Sequence, residues 1–140
     1  MNYKKSFNFL KKLPTKLNSF YKKNLKHNLI ISNKSKSKRS YDPVTNLDKA
    51  FEKYIRSLIN NTFPKDSIIG EEFEDKNSFN NLKWSIDPID GTRAFIIGAP
   101  TWSNLVSLSH YNKPLIGLAN FPDLKKFYIN DKKNSYVIEN

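Results

Sequence analysis

The hydrophobic pattern of this 140-residue chain changes its period once, and this change limits the fold more than any other feature. Apolar side chains recur every three or four residues over residues 5–26 and again from Thr45 to Ile59, which is typical of helices with one buried face. From residue 67 onwards the apolar runs are short and bounded by Gly, Pro or Asn, which indicates strands. Helices followed by antiparallel strands predict an α+β fold in which helices pack on a sheet.

The turn-forming residues place the boundaries of these elements. Pro14 is expected to interrupt the first helix, and Thr45 or Asp48 can cap the second. Residues 33–40 read as a Ser/Lys-rich loop, residues 93–97 as one helical turn, and Asn112-Lys113-Pro114 as a hairpin turn. The predicted strands are Asn28–Ser32, Ser67–Ile69, Leu82–Ile86, Ser103–His110, Leu115–Phe121, Phe127–Asn130 and Tyr136–Ile138.

Length and composition exclude several classes of protein. No apolar run approaches the roughly 18 residues of a membrane-spanning helix. The chain contains no cysteine, which excludes disulfides, cysteine nucleophiles and thiolate metal sites. Lysines interrupt the apolar segment that a secretory signal would need near the N-terminus. These features predict one cytoplasmic domain without membrane contact, in which any metal is held by oxygen or imidazole.

The positive charge is concentrated in the first 40 residues, which contain 12 Lys+Arg and no acid, against 12 Lys+Arg and 13 Asp+Glu in residues 41–140. A basic arm of this kind could bind nucleic acid. Lysine and asparagine are abundant along the whole chain, however, so solvated helix faces are the favoured interpretation and a nucleic-acid partner is not expected.

Two aspartates lie close together in a segment that directly follows a predicted strand. Asp87 and Asp90 are three residues apart, and the Ile89 carbonyl lies between them, so all three can converge on one point. Hard divalent cations such as Mg2+ take these oxygen ligands and recruit further acids, of which Glu71 is a natural third. The same spacing also fits a turn that uses Asp and Gly only for its backbone geometry.

The next residues suggest a phosphate site beside this cation site. Gly91 and Thr92 stand at the expected start of a helical turn, where free N–H groups favour an anion. The Thr92 hydroxyl could help to activate a water, with a carboxylate such as Asp42 as proton acceptor. Asp42 could equally start a helix that Thr45 caps.

The clearest resemblance to a known family lies in residues 84–95, which read WSIDPIDGTRAF. This segment resembles the signature of the inositol monophosphatase family of lithium-sensitive, magnesium-dependent phosphatases. Residues 70–72 and 42–48, which read GEE and DPVTNLD, resemble its two upstream motifs in the expected order. The resemblance covers roughly residues 17–122. It implies a layered α/β sandwich, of which this chain is the N-terminal half with two helices on a largely antiparallel sheet.

The resemblance implies a role for each motif residue. Two or three Mg2+ ions would be bound by Glu71, Asp87, Asp90 and the Ile89 carbonyl, and Li+ would inhibit. Asp42 and Thr92 would match the water-activating pair of the family. Phosphate or substrate contacts would come from Asp90, Gly91, Thr92 and Arg93. Glu72 and Asp48 would have supporting roles.

Arg93 and the following residues 98–102 resemble bacterial branches that include histidinol-phosphate phosphatases. The sequence is therefore expected to encode a Mg2+-dependent phosphomonoesterase for a small phosphorylated metabolite, with histidinol phosphate favoured over inositol monophosphate. Members of this family are roughly twice as long, and their second half supplies another metal-binding Asp.

The resemblance to longer proteins also implies a domain organisation for this chain. Residues 1–15 are expected to form a basic extension, and residues 16–140 the metal-binding half, with the C-terminal half absent. A separate C-terminal half or a homodimer could complete the site. A truncated inactive fragment and a non-catalytic basic module that binds nucleic acid are the alternatives.

Overall fold

The computed structural model of the chain describes residues 3–24, 29–35 and 41–139. Asn28 of the first predicted strand and residues 36–40 of the predicted loop lie outside these ranges. The described residues form three helices and eight strands, in the order α1 Tyr3–Asn24, β1 Ile31–Asn33, β2 Pro43–Thr45, α2 Asn46–Thr62, β3 Ser67–Ile69, β4 Leu82–Asp90, α3 Thr92–Ile96, β5 Ser103–His110, β6 Lys113–Phe121, β7 Lys126–Asn130 and β8 Ser135–Glu139.

The last six strands form one sheet in the order β3-β4-β5-β6-β7-β8, so that sequence neighbours are also spatial neighbours. Strands β3 and β4 are parallel, and every other pair in this sheet is antiparallel. Strands β1 and β2 pair separately as a short antiparallel ribbon. The predicted α+β architecture, with a largely antiparallel sheet, is confirmed. No helix in the described ranges is long and apolar enough to cross a membrane.

The core lies between one face of this sheet and the two long helices. Alternate residues of the central strands point towards the helices, as the two-residue period of a strand requires. The largest fully buried side chains include Trp84, Trp102, Phe51, Leu10, Leu13, Leu17, Ile55 and Ile59. The opposite face of the sheet carries half-exposed side chains such as Ser85, Leu105 and Ser107.

Helix α1 continues through Pro14, so the predicted interruption is wrong. Proline removes one backbone donor from a helix interior and costs about 3 kcal/mol. Here Leu10, Leu13 and Leu17 are at most 1% exposed, and Pro14 itself is buried among them. Burial of this apolar stripe on the sheet stabilises the helix by more than the proline costs, which local sequence signals do not report.

Helix α2 begins at the position that its cap predicts. The Thr45 hydroxyl accepts hydrogen bonds from the backbone N–H groups of Leu47 and Asp48, and the Asp48 carboxylate accepts one from the Thr45 N–H at 2.7 Å. This reciprocal arrangement is a capping box. The cap fixes the Asp48 side chain at the start of α2, where it is 3% exposed.

Strand β1 covers Ile31–Asn33, whereas the predicted strand already includes residues 29 and 30, and β2 is not among the predicted strands. Two further boundaries, at β4 and at the β5–β6 hairpin, also differ from the predictions. Strand β4 does not end at Ile86 but continues to Asp90, with a shift of register against β5 between Asp87 and Asp90. The irregularity accommodates Pro88, whose carbonyl accepts a hydrogen bond from the buried Asn104 side chain at 2.7 Å.

The hairpin between β5 and β6 also turns earlier than expected. Tyr111 and Asn112 both have positive φ, 49° and 60°, as in a two-residue type I′ turn. Pro114 therefore lies in β6, opposite Ser109, rather than in the turn. Tyr111 is an unusual residue for such a turn, and this is why the sequence pointed to the Pro instead.

Candidate active site

The candidate active site lies where β3 and β4 end at the same edge of the sheet. These two strands are parallel, with Ile69 in register with Ser85. The chain that leaves β3 at Gly70 and Glu71 therefore lies beside Asp87 of β4. This pairing brings together residues that the sequence separates by 16 positions, and it unites two of the three motifs.

Asp87 is the electrostatic centre of this edge. Burial, together with the negative charges of Glu71, Asp90 and Asp48, raises the pKa of its carboxyl to about 7. The Ile89 N–H opposes this shift by hydrogen bonding. Four carboxylates thus lie close enough to repel one another. The other three make Asp87 hold its proton more readily than an isolated carboxyl does.

The donors at this edge are suited to a hard divalent cation, because they are all oxygens. They include the carboxylates of Glu71, Asp87 and Asp90 and the carbonyl of Ile89. Among the residues that the structure describes, no three acidic, histidine or cysteine side chains already form a group that could hold a metal ion. The carboxylates would therefore have to turn towards a common point to bind one.

Lys34, the residue that follows β1, neutralises part of this negative charge. The Lys34 ammonium is hydrogen-bonded to the Glu72 carboxylate and lies 3.6 Å from Glu71 Oε2. Its pKa is raised, although burial alone would lower it, because Glu72, Glu71 and Asp48 favour the charged form. The acidic edge is therefore balanced by a cation from the protein itself.

The structure pairs Thr92 with Asp48 rather than with Asp42. Thr92 Oγ1 lies 3.5 Å from Asp48 Oδ1 and 3.0 Å from the Ile89 carbonyl oxygen. Asp48 Oδ2 accepts hydrogen bonds from the N–H and the hydroxyl of Thr45, at 2.7 and 2.6 Å. Asp48 is thus buried, oriented from one side and directed at Thr92 on the other.

Asp42 is exposed, and the contacts described for it involve its backbone. Its N–H donates to the Asn33 side chain, and its carbonyl accepts from the Lys34 N–H at 2.8 Å. These bonds hold the β1–β2 ribbon together. The structure therefore places Asp48, which was expected to have a supporting role, next to Thr92 in the position that was expected for Asp42. The capping-box spacing of Thr45 and Asp48 in the sequence indicates where the Asp48 side chain lies, but spacing alone does not indicate that it contacts Thr92.

The predicted phosphate-binding residues surround the start of α3. Gly91 caps this five-residue helix with a φ of 83°, a left-handed conformation that favours glycine, and its carbonyl accepts from the Phe95 N–H at 3.0 Å. Arg93 is exposed and donates to the Tyr41 carbonyl, with its guanidinium 5.9 Å from the centre of the Tyr41 ring. Arg93 thus ties α3 to the segment before β2.

An open groove of about 540 Å³ adjoins this edge. It runs over the face of the sheet that the helices leave uncovered, and Glu71, Asp87, Leu105, Ser107 and Gly117 are among its lining residues. Two of the candidate cation ligands therefore line the groove.

Comparison with known proteins shows which family this chain resembles. The sequence model of the inositol monophosphatase family matches residues 3–139. The histidinol-phosphatase of Chlorobaculum parvum is 44% identical over 92 residues, which are 66% of this chain and 36% of that protein. The histidinol-phosphatase of Mycobacterium tuberculosis is 36% identical over 90 residues, 64% of this chain and 35% of that protein. The aligned part thus spans about a third of the length of these curated relatives.

Solved structures share the fold over nearly the whole chain. A staphylococcal IMPase-I complexed with products superposes with a TM-score of 0.83 at 17% identity, covering 98% of this chain and 51% of the other. The IMPase of Thermotoga maritima gives a TM-score of 0.72 at 24% identity, covering 94% and 49%. The predicted fold type is confirmed by these likenesses. Because the family model covers nearly all of its residues, including the three motifs, the chain belongs to the inositol monophosphatase family.

Proposed function

We propose that this chain supplies the metal-binding half of a Mg2+-dependent phosphomonoesterase that hydrolyses a small phosphorylated metabolite. The observation that carries the proposal is the position of the Thr92–Asp48 pair beside the carboxylates of Asp87, Asp90 and Glu71. A proton-accepting pair next to a set of hard oxygen donors is what attack of water on a phosphate ester requires.

Glu71, Asp87, Asp90 and the Ile89 carbonyl would hold the cations, two or three in number, with Li+ as an inhibitor. The oxygen donor set and the raised pKa of Asp87 both fit this assignment, because a cation would relieve the repulsion among the carboxylates. Bound Mg2+ would supply positive charge to the phosphoryl oxygens and lower the pKa of the attacking water. Structures of fold neighbours have been solved with Mg2+ and phosphate, and after soaking in LiCl.

The backbone at the start of α3 would bind the phosphate. The first N–H groups of a helix have no partners within it, and those of Gly91 and Thr92 lie beside the carboxylate edge. Asp90 would contribute here through its cation. Arg93 would add a contact to the phosphate through the guanidinium N–H groups that do not donate to the Tyr41 carbonyl.

Thr92 and Asp48 would remove the proton from the attacking water. When the Thr92 hydroxyl donates to Asp48 Oδ1, its lone pairs are free to accept a hydrogen bond from the water. The N–H and the hydroxyl of Thr45 hold the other oxygen of Asp48, which keeps Oδ1 directed at Thr92. Asp42 has no part in this proposal.

Histidinol phosphate is the favoured substrate, and an inositol monophosphate is the second choice. Three of the curated relatives, from Chlorobaculum parvum, Mycobacterium tuberculosis and Streptomyces coelicolor, are histidinol-phosphatases at 36–44% identity. An Aquifex aeolicus relative at 34% identity is a fructose-1,6-bisphosphatase/inositol-1-monophosphatase.

Completion of the site would require the segment that the longer relatives possess beyond the aligned region. A separate C-terminal half or a second copy of this chain could supply it, and the open groove beside Glu71 and Asp87 offers the surface. In this proposal residues 16–140 form the metal-binding half and residues 1–15 a basic extension, although the described residues 3–15 belong to the same continuous helix α1.

The experiment measures inorganic phosphate released from histidinol phosphate and from inositol monophosphate, with Mg2+ or with EDTA. The 140-residue chain is assayed alone and fused to the remaining portion of the Chlorobaculum parvum relative. We expect EDTA-sensitive release by the fusion, faster with histidinol phosphate, and its loss in an Asp87→Asn/Asp90→Asn control. Hydrolysis that is equal in the control, or absent with every ester, would contradict the proposal.

A further inference from the structure

Helix α2 contains a buried carboxylate that the proposed mechanism does not use. The Glu52 side chain is 0% exposed. Its Oε2 accepts hydrogen bonds from the backbone N–H groups of Glu71 and Glu72, at 2.9 and 2.8 Å. Its Oε1 accepts from Arg56 Nε at 2.7 Å. The carboxylate therefore faces the segment that carries a candidate cation ligand, although that ligand is 19 residues away in the chain.

Arg56 extends the same contact by one residue. Its second guanidinium nitrogen donates to the Phe73 carbonyl at 3.1 Å, and its guanidinium lies 6.0 Å from the centre of the Phe73 ring. Together Glu52 and Arg56 make three hydrogen bonds to the backbone of residues 71–73. Because the two side chains neutralise each other, they anchor this segment without adding net charge to the acidic edge.

Gly70 shows how closely the segment lies against Glu52. A Cβ at this position would lie 2.5 Å from Glu52 Cδ and 2.8 Å from its Oε2. Contacts this short are not tolerated, and the Glu52 carboxylate has no freedom to move because three hydrogen bonds hold it. The absence of a side chain at residue 70 is therefore a condition for the contact.

This anchor matters because the Glu71 side chain itself is poorly constrained. Its side chain is 53% exposed and contacts Lys34 at 3.6 Å. A ligand on an exposed turn loses conformational entropy when it binds a cation, and a fixed backbone reduces that loss. A fixed backbone also keeps Glu71 at the edge that Asp87 occupies.

We propose that Glu52, together with Arg56, is a positioning residue that holds Glu71 in place as a cation ligand. The inference rests on the proposed function in one respect, that Glu71 binds the cation. Residues that orient a metal ligand typically change metal affinity by about 10- to 100-fold when they are removed.

The test compares three variants of the 140-residue chain. Glu52→Leu/Arg56→Leu removes the anchor without leaving an unpaired buried charge. Glu52→Gln keeps one oxygen that can accept from both N–H groups. Asp66→Asn is the matched control, because Asp66 is also a buried carboxylate, but it accepts from Trp84 and Asn80 instead. Each variant is measured for amide hydrogen exchange without metal and for Mg2+ affinity by calorimetry.

We expect the double variant to exchange the Glu71 and Glu72 amides about tenfold faster or more and to bind Mg2+ about 10- to 100-fold more weakly. Glu52→Gln should retain most of both properties. Asp66→Asn should lower the melting temperature and leave Mg2+ affinity unchanged. The proposal is overturned if the double variant keeps its amide protection, if it keeps its Mg2+ affinity, or if Asp66→Asn loses equal affinity.

Failure of the proposed function has a different signature. In that case the unmodified chain, and not only the double variant, would bind Mg2+ no better than an Asp87→Asn/Asp90→Asn variant. The amide exchange of Glu71 and Glu72 would still report on the anchor itself, but the anchor would then have no cation ligand to position, and the proposal would be rejected with the function.

Discussion

Asp48 Oδ1 lies 3.5 Å from Thr92 Oγ1, although 44 residues separate the two in the chain. The first belongs to the capping box of α2, and the second begins α3 directly after the Asp87–Asp90 segment. A helix cap therefore doubles as one half of the proposed proton-accepting pair.

Replacing either member of this pair should lower turnover sharply. We expect Thr92→Ala and Asp48→Asn each to reduce kcat of the active fusion by about 100- to 10,000-fold, because proton transfer from the water is lost. The double variant should be little worse than either single one, since both act on one proton. The measurement is phosphate release at saturating substrate. Asp42→Asn is the control. If it lowered kcat as much as Asp48→Asn does, Asp42 would share the role that we propose for Asp48.

The affinity for Mg2+ should increase as the pH rises through about 7, the pKa of Asp87. The folded pKa lies above that of an isolated carboxyl, so below pH 7 the protonated form of Asp87 predominates and competes with the cation. Calorimetric titrations on either side of pH 7 should show tighter binding and proton release on binding. In Asp87→Asn the affinity should be lower and nearly independent of pH in this range. A pH-independent affinity in the unmodified chain would contradict the prediction.

The same raised pKa predicts how the metal-free chain responds to pH. A carboxyl whose folded pKa is raised binds more protons folded than unfolded between pH 4 and pH 7, so stability falls as the pH rises through this window. The melting temperature without metal should fall accordingly, and Asp87→Asn should flatten the profile. Addition of Mg2+ should restore stability at the upper end. If Asp87→Asn leaves the pH dependence of the melting temperature unchanged, Asp87 is not its cause.

Lys34 should compete with a divalent cation for the acidic edge. Its ammonium contacts Glu72 and lies 3.6 Å from Glu71, so Lys34→Met should tighten Mg2+ binding by about two- to fivefold at low salt, the size of a partly exposed ion pair. The gain should shrink at high ionic strength. Lys65→Met, at the opposite end of β3, should have no effect. Equal changes in both variants would indicate net charge alone.

Gly70→Ala should destabilise the fold, because the new Cβ would collide with the anchored Glu52 carboxylate. We expect the free energy of unfolding to fall by about 1–3 kcal/mol, as for other overpacked sites, in denaturant titrations. Gly117→Ala is the matched control, since its nearest neighbour would be Asn130 Oδ1 at 3.3 Å, and the loss there should be smaller. Equal losses at the two positions would argue against a rigid Glu52.

Much of the fold was predictable because its elements are defined by local patterns. The apolar stripe and the Thr45 cap lie within α2 itself, and the strands β3, β5, β7 and β8 match their predicted positions to within one residue. Among the exceptions, Pro14 inside α1 and the turn at Tyr111-Asn112 are places where packing or pairing with distant residues outweighs the local preference.

The candidate active site was also predictable in part. The order and types of the motif residues were readable from the chain, and with them the membership of the inositol monophosphatase family. The partners of those residues were not, because Asp42 and Asp48 are equally plausible neighbours of Thr92 when only spacing is known. The roles of the individual site residues remain predictions that the experiments above test.

The sequence by itself determined most of the helices and strands, although not β2, and it contains three motifs of suitable chemistry. Only the tertiary structure decided that Asp48 meets Thr92 and that Glu52 meets the backbone of Glu71 and Glu72. Periodicity and capping reflect interactions between residues a few positions apart. Distances across 19 or 44 residues are set instead by how α2 docks on the sheet and by the parallel register of β3 and β4.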